Sequence, residues 1–162
     1  MMKQISLTVG PEKQLRQLRA DNPDRKMILA KSAIDSRRFT LLDISSNPTI
    51  FQSQLEYQVI RTIGKSEWQG FLECRYLTLD TDHQKIFNAK LAAWDDPSKR
   101  PVGLKQSLIC RDEEKNFEYL VLNIWEHKDD YIAWKNEKEN ELKDFGHGGN
   151  KQPIVTEFTI LG

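Results

Sequence analysis

Three histidines, two cysteines and four tryptophans are the side chains in this chain that could serve in catalysis, metal binding or redox chemistry. Their spacing narrows those options. His83, His127 and His147 stand far apart, and no Ser/His/Asp or Cys/His arrangement can be argued from them. Cys74 and Cys110 lie in strand-like apolar segments without metal-ligand spacing, so they read as small buried hydrophobes and no metal site is expected. His83, in the first turn of one helix, and His127, at the start of another, read as solvated or capping residues. His147 follows Gly146, where a helical pattern stops, and could approach a cavity only from a loop. No phosphate loop, dinucleotide-binding glycine pattern or zinc pattern is present. Trp134 sits on a helix face three residues after Tyr131, either as a large core anchor or as the wall of a cavity. Glu73 and Arg75 share a strand face with Phe71 and Leu77. If that face is buried, the two should pair.

The elements that must position these residues are clearest in residues 117–145. Phe117, Tyr119, Val121 and Trp125 fall on one side of an extended chain and Leu120, Leu122 and Ile124 on the other, which predicts a strand covered on both faces. A helix follows, with Asp129 and Asp130 in its first turn and Tyr131, Trp134, Leu142 and Phe145 along one face to the end of the stretch. The run of alternating charge over residues 135–141 reads as its solvated side.

Earlier segments read in the same way. Strands are expected at residues 3–9, 26–31, 38–44 and 55–63, the last of which could also form a short helix, with a short helix from Pro11 to about Ala20. Gly64 and Lys65 form the joint between residues 1–64, an N-terminal α+β half, and residues 65–162. The second half begins with a strand on which Trp68, Leu72, Cys74 and Tyr76 share a face. Thr81 and Gln84 make a capping box for a helix whose packed stripe is Ile86, Phe87, Leu91 and Trp94. With further strands at residues 102–110 and 154–160, the order is β-α-β-β-α-β, an α+β ferredoxin-like split βαβ.

Composition excludes several roles. The 162 residues carry 24 basic and 24 acidic side chains, so no global positive field draws nucleic acid or an anionic membrane surface. No apolar run approaches a membrane span, and the first ten residues lack the apolar core of a signal peptide, which together predict a cytoplasmic protein.

The apolar strand ending in Trp125, the helix bearing Trp134 nine residues later, the segment YQVIRTIG (57–64) and the ending FGHGGNKQPIVTEFTILG resemble the antibiotic-biosynthesis-monooxygenase (ABM) superfamily of dimeric α+β barrels. Within it they are most similar to two-part bacterial heme-degrading monooxygenases and the related staphylococcal signal protein TRAP. The resemblance implies an ABM-like ferredoxin-like domain over residues 65–162, in a barrel completed by a second subunit or by the chain's own N-terminal half. It also implies a monooxygenase acting on heme or a small aromatic substrate between sheet and helices. Heme-degrading members use an asparagine from the first strand of the half-barrel, a tryptophan from the second helix and a histidine farther along that helix. Here Trp134 matches the tryptophan, Cys74 stands at the asparagine position and Asp144 at the histidine. The resemblance thus points to Trp134 and Cys74 as catalytic positions, and to His147 as the remaining candidate for binding heme, the one cofactor implied. Its other implication is a TRAP-like, non-catalytic binding or signalling module that has lost the heme-site residues. The partners expected are a small-molecule ligand or heme, in a homodimer or a single-chain pseudo-dimer.

Overall fold

Alternating apolar residues put one side of every strand into a shared interior and the other side against helices or solvent. The computed structural model describes residues 2–52, 55–115 and 117–162. In chain order they form β1 (Gln4–Gly10), α1 (Glu12–Ala20), β2 (Met27–Ser32), β3 (Phe39–Asp43), β4 (Glu56–Gly64), β5 (Phe71–Thr78), α2 (Thr81–Leu91), β6 (Leu104–Arg111), β7 (Glu118–Trp125), α3 (Lys128–Lys135) and β8 (Ile154–Ile160). The strands close into one barrel in the order β1-β3-β2-β8-β5-β7-β6-β4, and every pairing is antiparallel. Closure leaves no free sheet edge.

Each half of the chain repeats one plan. Strands β1–β4 lie in the order β4-β1-β3-β2 and strands β5–β8 in the order β8-β5-β7-β6, so each half places its fourth strand beside its first and its third between first and second. The halves join where β2 pairs with β8 and β4 with β6. Only the second half carries both crossover helices; between β3 and β4 the described residues form no helix. The N-terminal half thus completes the barrel within the chain.

Three buried clusters follow from this geometry. Ile5, Leu7, Ile28, Leu42, Tyr57, Leu72, Cys74, Leu108, Leu122 and Phe158, drawn from all eight strands, fill the interior. Leu15 of α1 packs on Met27, Leu29, Phe39 and Leu41 from the outer face of the first half. On the second half, Phe71, Phe87, Leu91, Trp94, Trp125, Tyr131, Trp134, Leu142 and Phe145 lie between sheet and helices. Strand β7 is covered on both faces, as its sequence predicts. The connection between halves turns through left-handed backbone at Gly64, Trp68 and Gly70. A Cβ at Gly70 would collide with the Trp125 carbonyl oxygen, which leaves only glycine there.

Three local expectations are corrected. The helix after Trp125 ends at Lys135 instead of running to Phe145. Residues 136–145 form successive turns, because the Asn140 side chain donates to the Lys135 and Glu137 carbonyls and accepts from the Leu142 amide. The cap of α2 is Asp80 rather than Thr81: its carboxylate accepts the His83 amide at 2.8 Å, while Gln84 donates to the Leu79 carbonyl. Ile86, placed in the packed stripe of α2, is 49% exposed, whereas Phe87 and Leu91 are buried.

Candidate functional site

Side chains on the outer face of β5 and β7 build a polar row beneath α2 and α3. The register aligns Glu157 of β8 with Glu73 of β5, Glu73 with Asn123 of β7, and Asn123 with Ser107 of β6. Glu73 is fully buried. One of its oxygens accepts from Asn123 Nδ2 at 2.9 Å and Trp125 Nε1 at 3.3 Å; the other accepts from Arg75 Nε at 2.8 Å and Nη2 at 2.7 Å. The Glu73–Arg75 pair expected of a buried face is therefore present. Four donors converge on one carboxylate, compensating its burial.

Above this row, Arg75 lies 5.3 Å from the ring centre of Trp134. The Trp134 indole N–H donates to Glu141 Oε1 at 2.9 Å, and that of Trp94 donates to Oε2 of the same carboxylate at 3.0 Å. Trp134 is 2% exposed and packs on Trp125 with ring centres 5.4 Å apart. Glu141 is thus drawn inward out of the charged run read as solvated. Tyr131 donates its hydroxyl to Glu157 at 2.5 Å, and burial followed by that hydrogen bond pushes its phenol pKa up. Two groups in the row stand apart: Ser107 Oγ and Asn123 Oδ1 are buried without a hydrogen-bond partner among the described residues. Such groups ordinarily meet a partner, protein or water.

The proposed site residues do not converge. Cys74 faces the barrel interior while Trp134 lies over the opposite face of the same strand; on the helix-facing side, its neighbours Glu73 and Arg75 take its place. Burial pushes the Cys74 thiol up to about 12. His147 sits at one barrel mouth, where its Nε2 is 3.3 Å from Glu118 Oε2. It lines a cavity of about 460 Å³ with Leu55, Tyr57, Tyr76, Asp112, Lys115, Glu118 and Ile154. His83 pairs with Asp80 at the exposed start of α2, and His127 is exposed at the start of α3. Asp144 is also at the surface, 3.9 Å from Lys90.

Sequence reasoning missed Asn123, Ser107 and Glu141. Asn123 carried a signal, as a polar amide inside a strand apolar on both faces. Ser107 and Glu141 carried none, since a serine in a strand and a glutamate in a charged run are ordinary surface residues.

This geometry can be set beside known proteins. No protein-family model matches the chain. The heme-degrading monooxygenase of Listeria monocytogenes is 24% identical over 134 residues, covering 83% of this chain and 78% of that protein. A Listeria monocytogenes ferredoxin-fold protein related to antibiotic biosynthesis monooxygenases superposes with a TM-score of 0.72 at 21% identity, over 97% of this chain and 94% of that one. The chain has the ABM-type barrel fold. The same ABM-type barrel occurs in the crystal structure of the Listeria monocytogenes heme-degrading enzyme, with a TM-score of 0.75 at 18% identity over 97% of this chain and 99% of that one. It occurs again in a major regulator of staphylococcal pathogenesis, with a TM-score of 0.73 at 17% identity, over 97% and 98% of the two chains. Enzymes and a regulator therefore share this barrel, and fold alone does not choose between them.

Proposed function

We propose that this ABM-type barrel is a binding or signalling module that does not degrade heme. Trp134 carries the reading. Its ring stands where the family resemblance places a wall of the heme cavity, yet it is held by Glu141, covered by Arg75 and packed on Trp125. A heme there would have to displace the buried Trp94, Trp134 and Phe145. It would also meet no imidazole, because Asp144 occupies the ligand position at the surface and a carboxylate serves iron poorly. The residues do not fit a histidine-ligated heme between sheet and helices. Among the described residues no helix is long and apolar enough to cross a membrane, and the proposed location is the cytoplasm.

One observation favours a second reading. Ser107 Oγ and Asn123 Oδ1 are buried beneath the helices without partners among the described residues, which suits a small aromatic substrate entering as residues 136–145 move aside. In that case the chain is a monooxygenase with Trp134 in the cavity wall, and Cys74 stays on the far side of the sheet.

Hemin titration of the purified protein, followed by its Soret band, tests the choice. No saturable shift is expected. A one-to-one shift that decays with ascorbate in air would overturn the module reading, and its loss in His147→Ala would assign the iron ligand to the barrel mouth.

A further inference from the structure

The barrel mouth at His147 is a second, separate place where this chain could take a ligand. Its floor is made by interior-facing residues of two strands from different halves, Tyr57 of β4 and Tyr76 of β5, with Leu55 and Ile154 beside them. Tyr57 is only 6% exposed. Tyrosines usually place the hydroxyl on a partner; these two phenols have no hydrogen bond to any described residue and are not sealed from solvent, so both hydroxyls are open to the cavity, although other interior polar groups such as Thr40 are hydrogen-bonded within the barrel. Burial pushes both phenols well above their ordinary range, so they remain neutral donors at any physiological pH.

The rim is fixed and carries charges of both signs. Thr78 accepts the Gly148 amide on its hydroxyl at 2.8 Å, and its own amide donates to the Gly146 carbonyl at 2.9 Å. These two bonds hold the His147 loop against the end of β5, and His147 faces Glu118. Beside Glu118, whose carbonyl accepts the Asp112 amide, the Asp112 carboxylate accepts the Glu114 and Lys115 amides. Lys115 thus stands beside Asp112 and Glu118, so charges of both signs offset in part and no strong field of one sign selects an ion.

We propose that this mouth binds a neutral, planar aromatic carbonyl compound, its rings against the Tyr57 and Tyr76 rings and Ile154, and its carbonyl oxygen accepting from the two tyrosine hydroxyls. The cavity, about 460 Å³, is within the range of small-ligand sites. The site lies at the barrel interior, away from Trp134, and is independent of the function proposed above.

Titration of the full chain with Prodan, a neutral naphthyl ketone whose fluorescence shifts to shorter wavelength on leaving water, tests the proposal. A saturable blue shift is expected. Tyr57→Phe and Tyr76→Phe, which remove only hydroxyls, should each weaken binding about tenfold. Ile154→Trp, at a half-exposed rim position, should abolish it by filling the cavity. Unlabelled 2-acetylnaphthalene should compete and 2-ethylnaphthalene, which lacks the acceptor, should compete at least about tenfold less well. Unchanged circular dichroism melting certifies each variant as folded. No saturable shift, or a shift untouched by both tyrosine changes and by Ile154→Trp, would overturn the proposal.

Discussion

Glu73 and Arg75 illustrate how single side chains hold the covered face of the second half together. Both carboxylate oxygens of Glu73 are engaged, by Arg75 on one side and by Asn123 and Trp125 on the other. Glu73→Gln replaces one acceptor oxygen with an amide and leaves the buried Arg75 charge uncompensated. Such breakage costs about 3–5 kcal/mol, and urea unfolding followed by tryptophan fluorescence should read that loss. The interior cysteines make an opposite point. Cys74 and Cys110 are free and buried, and burial pushes both thiols up. Native protein at pH 8 should therefore leave Ellman's reagent nearly unreacted, with two thiols released only in denaturant. Fast labelling of the native chain would contradict the packing of the barrel interior.

At the scale of elements, the segment after α3 decides whether the space over the sheet is open or shut. Because the helix stops at Lys135, the turns that follow carry Glu141 back over Trp94 and Trp134, which a continuous helix would not do. Glu141→Ala orphans two buried indole N–H groups, at about 1–3 kcal/mol each. We expect a lower unfolding midpoint together with altered tryptophan emission. An unchanged midpoint would mean that Glu141 clamps nothing. The start of α2 gives a second check. Asp80, not Thr81, accepts the His83 amide, so Asp80→Ala should lower the melting temperature while Thr81→Ala leaves it in place.

The whole molecule is a closed barrel made from two half-sheets, and each half alone has two open edges. Residues 65–162, expressed by themselves, would expose β8 and β6, the strands that pair with β2 and β4. We expect this fragment to dimerise or aggregate, and a monodisperse monomer in light scattering would contradict the need for the N-terminal half to cover these edges. Alkaline pH probes the whole interior. Burial raises Cys74 and Cys110 above the ordinary thiol value of 9.0, and Tyr57, Tyr76 and Tyr131 above the ordinary phenol value of 10.0. The folded state then holds these protons more tightly than the unfolded one. Their contribution is complete below pH 9 and is lost as pH rises from there through the folded-state values. The melting temperature should fall steadily above pH 9; a flat profile would contradict the burial of these groups.

Period-two alternation and the turn residues were enough to mark the eight strand segments, although residues 55–63 also admitted a short helix, and to give the order of the second half and the Glu73–Arg75 pair, because a side chain's face on a strand follows from its parity. Apolar face patterns also marked Trp134 as buried or cavity-lining. What parity could not tell was which face looked into the barrel and which met a helix, since both are buried in β5 and β7. That choice, made only when eight strands closed, separates Cys74 from Trp134. The early stop of α3 likewise depended on the Asn140 side chain meeting backbone groups on both sides of itself. The meeting of Tyr57 with Tyr76, nineteen residues apart and in different half-sheets, came from barrel closure alone.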